Sequence, residues 1–244
     1  MAPSISFCSL SWDEFCSAAL DNYWRSDECR PLPIFGTDEK PNKHAGVRDW
    51  QKKTREEALA HCAATPSTAL FLPTSLTMLV VDVDTHLSPA KLQKEIDGAT
   101  WMADFHAATG ICLKSYPTVQ TRSQSGGWHF YFRAPEGAVK AVNCARVVVG
   151  KMVDGVHKQY AVDLRTIGGG IVMPGSVLAN GKTYYPEPGF GPTEVAIGSI
   201  PAELLSLLNT STVKKDKVSH KAKSMVIPTP DTSGVDPSAG MISG

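Results

Sequence analysis

The feature that most constrains this chain is a short apolar segment, residues 79–84, with the sequence Leu-Val-Val-Asp-Val-Asp. Its shortness and its valines favour a β-strand, in which successive side chains point to opposite faces. Asp82 and Asp84 would then share one face, and the valines between them would enter a core. Two neighbouring carboxylates repel each other, so the pattern is typical of a solvated strand end or of a cation site. This segment alone leaves both interpretations open.

A second segment, residues 125–133, begins with Ser-Gly-Gly and continues as the aromatic run Trp-His-Phe-Tyr-Phe-Arg. Strand alternation puts Trp and the two Phe side chains on a core face and His129 on the opposite face. A glycine pair permits close backbone approach, and N–H groups in such a turn suit phosphate oxygens. A hairpin with an ordinary surface histidine is the alternative. The candidate phosphate-binding residues of this hairpin are Arg122, Ser125, Gly126, Gly127, His129 and Arg133.

A third segment, residues 160–165, has the sequence Tyr-Ala-Val-Asp-Leu-Arg. Alternation predicts that Asp163 and Arg165 share a polar face while the apolar residues between them face a core. A buried Asp163–Arg165 pair, or an edge strand in water, is the alternative. If the three strands belong to one sheet, their polar faces converge on one cleft. Three carboxylates suit Mg²⁺ or Mn²⁺, and a histidine, arginines and a glycine-rich turn suit a triphosphate.

In this order, the three segments resemble the motifs of the archaeo-eukaryotic primase superfamily, specifically the N-terminal domain of bifunctional primase-polymerases. The first motif corresponds to residues 81–84, the second to residues 125–132 and the third to residues 162–165. The likeness covers about residues 30–190. Further similarities are Lys40-Pro41, Trp50, Pro174-Gly175-Ser176 and the Gly181-x-x-Tyr184 pattern.

The resemblance implies an RRM-like α+β catalytic core, with a mixed or antiparallel sheet flanked by helices. It implies a DNA primase-polymerase of a mobile element or virus, which transfers nucleotidyl groups from dNTPs or NTPs to a 3′-hydroxyl in a two-metal reaction. The catalytic residues and ligands of Mg²⁺ or Mn²⁺ would be Asp82, Asp84 and Asp163. The expected partners are a single-stranded or primed DNA template and a helicase, in cis or in trans. Nucleotide contacts would come from His129, Ser125, Gly126, Gly127, Arg122, Arg133 and Arg165.

Two other functions are compatible with the same residues. A catalytically inactive module that binds nucleotide or single-stranded DNA would gain nothing from three carboxylates. A metal-dependent nuclease would use the acidic residues, but the Ser-Gly-Gly-x-His turn and its arginines fit a triphosphate better than a scissile backbone. Strand lengthening that requires nucleotides, as opposed to strand shortening without them, distinguishes these functions.

The sequence divides into a catalytic domain over 1–209 and a disordered tail or linker, rich in Lys, Pro, Ser and Gly, over 210–244. The stretch 134–160, between the second and third motifs, is interpreted as a surface loop, with template contact as the alternative. A hairpin centred on Asn180-Gly181 is predicted over 177–185. The other predicted elements are helices over 12–24, 54–64, 88–110 and 201–208, and strands over 69–72, 78–83, 118–122, 128–133, 160–164 and 171–173.

The overall charge does not favour nucleic acid, because 24 basic residues balance 24 acidic ones. Binding to DNA would therefore depend on local patches. The six cysteines form no Cys-x-x-Cys pair, and Cys8, Cys16, Cys29 and His44 fit no zinc spacing well. The sequence shows no secretory signal and no membrane-spanning run, so we expect an intracellular, non-secreted protein that does not associate with membranes. The candidate basic patches are Lys40, Lys43, Arg48, Lys52 and Lys53, and the lysines within 214–223.

Overall fold

A computed structural model describes residues 12–37, 43–65, 67–140, 143 and 145–210. The helices are α1 (Trp12–Ala18), α2 (Arg55–Ala64), α3 (Pro89–Leu92), α4 (Gly98–Thr109) and α5 (202–210), with short 3₁₀ turns at Asn22–Arg25, Trp50–Lys52 and Leu113–Ser115. The strands are β1 (Leu32–Pro33), β2 (Leu70–Pro73), β3 (Met78–Val83), β4 (Glu95–Ile96), β5 (Gln120–Arg122), β6 (Trp128–Arg133), β7 (Lys151–Val153), β8 (Val156–Tyr160), β9 (Val162–Arg165), β10 (Gly170–Val172), β11 (Tyr185–Pro186) and β12 (Gly198–Ser199).

The central sheet has the strand order β11-β5-β6-β3-β9, and β12 pairs in parallel with β6. Strand β3 lies between β6 and β9 and is antiparallel to both, so the three predicted motif strands are direct neighbours. Two smaller sheets, β1-β2-β10 and β4-β8-β7, complete the fold. The prediction of an α+β domain with antiparallel sheets flanked by a few helices is therefore confirmed.

One face of the central sheet packs against helices α4 and α5. Val81, Phe130 and Leu164 lie in register across β3, β6 and β9, and all three are fully buried. Trp101 and Phe105 of α4 belong to the same apolar cluster. The alternation of apolar residues along each strand thus creates one core-facing surface, as predicted, and leaves the acidic positions on the other face.

The opposite face is covered over only part of its length. Val80 and Tyr131 pack there with Leu72 of β2, Ile171 of β10 and Trp24 from the N-terminal region. The small sheet and the N-terminal segment therefore form a second core over this half of the face. The other half, where β3 ends, is open toward a cleft.

The predicted single helix over 88–110 is wrong. Helix α3 ends at Leu92, and β4 intervenes before α4 begins. Asp97 caps α4 by accepting a hydrogen bond from the Thr100 N–H at 3.0 Å. A side chain at Gly98 would clash with Val83, because its Cβ would lie 2.2 Å from the valine side chain. The Asp-Gly pair thus starts a new helix where the chain passes close to β3.

The interpretation of 134–160 as a loop is also wrong for its second half, because β7 and β8 form a hairpin there. Its turn consists of Asp154 and Gly155, both with positive φ (49° and 77°), as a two-residue hairpin turn requires. Strand β8 in turn pairs in parallel with β4. The Asp154-Gly155 pair is a recognisable turn signal in the sequence. The strand residues around it alternate poorly between apolar and polar, so the hairpin could not be predicted from periodicity.

The remaining elements follow the sequence closely. Thr54 and Glu57 form the predicted capping box of α2. The helix predicted over 12–24 is shorter, since α1 ends at Ala18 and a 3₁₀ turn follows. The turn at Asn180-Gly181 is present, and Val177 and Thr183 form its isolated bridge. Apart from residue 210, the predicted tail lies outside the described residues, as do Cys8 and Lys40. Among the described residues, no helix is long and apolar enough to cross a membrane.

Candidate active site

A row of polar side chains crosses the open half of the central sheet. Asp82 on β3 is the register partner of His129 on β6 and of Asp163 on β9. Partner side chains in an antiparallel pair lie on the same face, with Cβ atoms about 5 Å apart. His129 is buried, and its Nε2 lies 3.4 Å from Asp82 Oδ1. Alternation within the strands and pairing between them thus bring the three motifs together.

Arg165, two residues beyond Asp163 on β9, bridges two of these carboxylates. Its Nη2 donates to Asp82 Oδ2 at 3.0 Å and to Asp163 Oδ2 at 2.8 Å. The ion pair that the sequence offered as an alternative within β9 is therefore present. This ion pair is compatible with a role of Arg165 in the cleft, because the Arg165 side chain remains partly exposed.

Arg146 makes a second bridge between carboxylates. Its Nη1 donates to Asp84 Oδ2 at 3.1 Å and to Asp163 Oδ1 at 2.8 Å. Its Nη2 donates to Glu95 Oε2 at 3.0 Å, and its backbone N–H donates to Asp163 Oδ1 at 2.7 Å. One arginine from the stretch between the motifs thus contacts three acidic side chains.

The surroundings shift the pKa values of Asp82 and Asp84 in opposite directions. Burial alone would raise the pKa of Asp82, but His129 and Arg165 outweigh it and hold that pKa well below its usual range. For Asp84, burial and the nearby charge of Asp82 raise the pKa, in spite of Arg146. Burial disfavours the charged form of Arg146, but Glu95 and the aspartates raise its pKa above the usual value. Asp82 is therefore the more firmly ionised of the two β3 aspartates.

The cluster opens into a cleft of about 230 Å³. The His129 ring lies 5.6 Å from the ring of buried Tyr184, which forms part of one wall. Basic side chains from the loop after β1 reach the same cleft, so it combines carboxylates with positive charge. The lining residues are Lys43, His44, Asp82, Asp84, His129, Arg165, Gly170, Ile171, Val172 and Tyr184.

The Ser125-Gly126-Gly127 turn lies beside the end of β3. Gly126 has a φ of 86°, and its carbonyl accepts a hydrogen bond from Thr85 Oγ1 at 2.9 Å. A Cβ on Gly127 would lie 2.7 Å from the Val83 carbonyl oxygen. The turn therefore needs glycine at both positions, one for its backbone conformation and one for close approach. Ser125 is exposed at its tip.

Of the predicted nucleotide contacts, only His129 and Arg165 line the cleft. The Ser125-Gly126-Gly127 turn is not part of its lining, and Arg122 and Arg133 lie elsewhere. Arg122 pairs in register with Trp128, and its guanidinium lies over the Trp128 ring at 4.2 Å, on the helix-covered face. Arg133 shares the face of His129 but lies four residues further along β6, about 13 Å away. There it binds Asp21 at 3.1 Å. Strand alternation alone could not reveal these partners.

Sequence reasoning assigned no role to Arg146, Glu95 or Tyr184, which the structure brings to the cluster or the cleft. Arg146 stands immediately before three valines, and Val147 and Val148 are buried. A charge directly beside a buried run was the available signal. Glu95 carried no comparable signal, because its position depends on the pairing of β4 with β8.

The predicted metal ligands fit a divalent cation by their chemistry. Their oxygens are the hard donors that Mg²⁺ and Mn²⁺ prefer, and Asp82 and Asp163 lie opposite each other. However, among the residues that the structure describes, no group of three His, Cys, Asp or Glu side chains is arranged to hold a metal ion. Arg146 and Arg165 occupy carboxylate oxygens instead. The donors are present, and arginines bridge them.

Fold and site together define a class of α+β proteins that gather acidic and basic side chains in a cleft at the end of a central antiparallel strand. The family model of the bifunctional DNA primase/polymerase N-terminal domain, Prim-Pol, matches residues 20–202, three quarters of the chain. The chain therefore belongs to this primase/polymerase family, as the resemblance of its motifs predicted. Membership implies DNA and nucleotides as substrates, and the family generally uses divalent metal ions. A comparison with curated proteins finds no match.

Proposed function

We propose that this chain is a template-directed DNA primase-polymerase, whose nucleotidyl-transfer site is the cleft between β3, β6 and β9. The observation that carries the proposal is the row His129–Asp82–Asp163 on three neighbouring strands. It combines acidic side chains with groups that attract phosphate, and it lies inside the match to the primase/polymerase family. A site that only bound phosphate would not need the acidic half of this row.

The proposed reaction joins a nucleotide to a growing strand. The oxygen of a primer 3′-hydroxyl attacks the α-phosphorus of a dNTP or NTP, the bond from that phosphorus to the bridging oxygen breaks, and pyrophosphate leaves. The hydroxyl proton passes to solvent. His129 and Arg165, which line the cleft, would donate hydrogen bonds to the triphosphate and offset its charge. The Ser125-Gly126-Gly127 turn would contribute further contacts to phosphate at the end of β3.

The cation of the reaction, Mg²⁺ or Mn²⁺, would be held by Asp82, Asp84 and Asp163. A bound divalent ion supplies charge neutralisation and makes a hydroxyl more acidic. Asp82 is suited to this role, because its low pKa keeps it ionised. Replication of a mobile element or virus, a helicase partner and the domain boundary at residue 209 stay predictions.

The test is extension of a labelled primer-template with Mn²⁺ or Mg²⁺ and dNTPs, beside a reaction without primer. The variant is the double substitution Asp82→Asn, Asp84→Asn. A matched control is Asp49→Asn, Asp154→Asn, since both residues are exposed, have positive φ, and tolerate asparagine well. The wild type and the control should extend the primer, and the cleft variant should not.

Three results would separate the alternatives. Product in the primer-free reaction would add primase to polymerase activity. Nucleotide binding without extension in the wild type would indicate the inactive binding module. Shortening of the strand without nucleotides would indicate the nuclease.

A further inference from the structure

The proposed reaction leaves Arg146 without a role, although this residue contacts three acidic side chains of the cluster. Its side chain is about one fifth exposed, and its guanidinium lies between Asp84, Asp163 and Glu95. It comes from the stretch before β7, outside the three motifs. Its position therefore depends on the fold and not on the motif pattern.

The backbone around Arg146 is held firmly. Arg146 has a φ of 51°, a conformation that residues other than glycine seldom adopt. The next residue, Val147, is buried, and its N–H donates to the Val162 carbonyl at 2.9 Å. The Arg146 N–H is itself bound to Asp163. Only the side chain can leave the cluster without disturbing these contacts.

Arg146 uses the oxygens that a cation would need. Asp163 Oδ1 already accepts two hydrogen bonds from Arg146, one from the backbone and one from Nη1, and Asp84 Oδ2 accepts another. A carboxylate oxygen has about two lone-pair sites, so a divalent ion and the guanidinium compete for them. The charges allow the exchange, because Asp82, Asp84, Asp163 and Glu95 outnumber the two bridging arginines.

We propose that Arg146 is a built-in competitor of the divalent cation, which occupies Asp84 and Asp163 when no metal is bound. When a cation takes these oxygens, Nη1 is released while Nη2 stays on Glu95. Glu95 thus keeps the guanidinium beside the cleft instead of letting it swing into solvent. This inference rests on the proposed function only in taking the aspartates as cation ligands.

The experiment measures Mn²⁺ binding by calorimetry and by the electron paramagnetic resonance of free Mn²⁺, without nucleotide or DNA. The variant is Arg146→Gln. The matched control is Arg30→Gln, which removes the same charge from a half-buried arginine that donates to the carbonyls of Gln51 and Lys53. Coupled sites commonly change each other's affinity about fivefold or more, so Arg146→Gln should bind Mn²⁺ at least that much more tightly than wild type. The control should bind as wild type does.

Thermal unfolding provides a second readout that does not depend on activity. Without metal, Arg146→Gln should melt at a lower temperature than the control, because the carboxylates lose their counter-ion. Added Mn²⁺ should raise its melting temperature by more than it raises that of wild type. If the glutamine variant fails to fold, Arg146→Lys takes its place, since a lysine keeps the charge but lacks the guanidinium fork. That variant should also bind Mn²⁺ more tightly than wild type.

Equal or weaker Mn²⁺ binding by the Arg146 variants would overturn the competitor role. An Asp84→Asn variant separates this failure from failure of the proposed function. If Asp84→Asn weakens Mn²⁺ binding and the wild type extends primers, the function stands and only the role of Arg146 falls. If Asp84→Asn leaves Mn²⁺ binding unchanged, the cation does not use this cluster and both proposals lose their metal site.

Discussion

Asp82 and Asp163 lie directly opposite each other on adjacent antiparallel strands, and a single nitrogen of Arg165 donates to both carboxylates. Two acidic side chains at a register pair would normally repel each other. Here the arginine compensates the repulsion and holds the pair at the edge of the cleft. The stability of the sheet and the chemistry of the site therefore depend on the same residues.

Substitution of Asp163 should affect stability as well as activity. Asp163 accepts hydrogen bonds from two arginines and is buried, so Asp163→Asn leaves both guanidinium groups with less charge compensation. We expect a loss of about 2 kcal/mol or more in the free energy of unfolding, measured by urea denaturation. Asp154→Asn, in the exposed hairpin turn, should change it by less than about 0.5 kcal/mol. Equal stability of the two variants would show that the Asp163 network contributes little.

His129 should affect nucleotide binding more than turnover. It lines the cleft beside Asp82, and its removal takes away a proposed donor to the triphosphate. His129→Ala should raise the KM for the nucleotide about tenfold, with a smaller change in kcat. Steady-state primer extension at varied dNTP concentration measures both constants. An unchanged KM would remove His129 from the set of phosphate ligands.

Arg122 and Arg165 should behave differently, although the sequence offered both as nucleotide contacts. Arg165 lines the cleft, whereas Arg122 stacks on Trp128 on the other face of the sheet. Arg165→Ala should raise the nucleotide KM, and Arg122→Ala should leave it unchanged while lowering stability by about 0.5–1 kcal/mol. A higher KM for Arg122→Ala would mean that this side chain leaves Trp128 when nucleotide binds.

The cap of α4 should give a pH-dependent contribution to stability. Burial would raise the pKa of Asp97, but hydrogen bonds from Thr100 outweigh it and lower that pKa. A lowered folded-state pKa stabilises the protein above the unfolded value of about 3.9, and the contribution is lost as the pH falls through the folded-state value. Asp97→Ala should cost about 1 kcal/mol at neutral pH.

Asp97→Asn is the matched control for this cap, because asparagine caps a helix about as well but does not titrate. The difference in unfolding free energy between wild type and Asp97→Asn should therefore shrink from about pH 6 to about pH 3. A constant difference across this range would show that the Asp97 charge does not contribute.

The glycine turn should be sensitive to a single methyl group. A Cβ on Gly127 would meet the Val83 carbonyl at 2.7 Å, so either the turn or the end of β3 must move. Gly127→Ala should cost about 1–3 kcal/mol in urea denaturation, and Ser125→Ala, at the exposed tip of the same turn, should cost far less. A stable Gly127→Ala protein would show that the turn can shift away from β3.

Much of the fold and of the candidate site could be predicted from short-range patterns. Alternation along 79–84, 125–133 and 160–165 was enough to predict three strands and their core faces. It put Asp82, His129 and Asp163 on one side only on the condition that the three strands share a sheet, which the structure shows. These predictions succeeded because side-chain direction in a strand is a local property of the backbone. The capping box of α2 and the turn at Asn180-Gly181 are local for the same reason.

What only the tertiary structure decided is which distant charges meet. Arg146 contacts Asp84, 62 residues away in the sequence, and Glu95, 51 residues away. Arg133 contacts Asp21, 112 residues away in the sequence. No periodicity encodes such contacts, because they depend on strand order and on the pairing of β4 with β8. The sequence by itself determined the acidic face of the sheet. The tertiary structure decided that two arginines neutralise part of it, because ion pairs form between whichever charges the fold brings within a few ångströms.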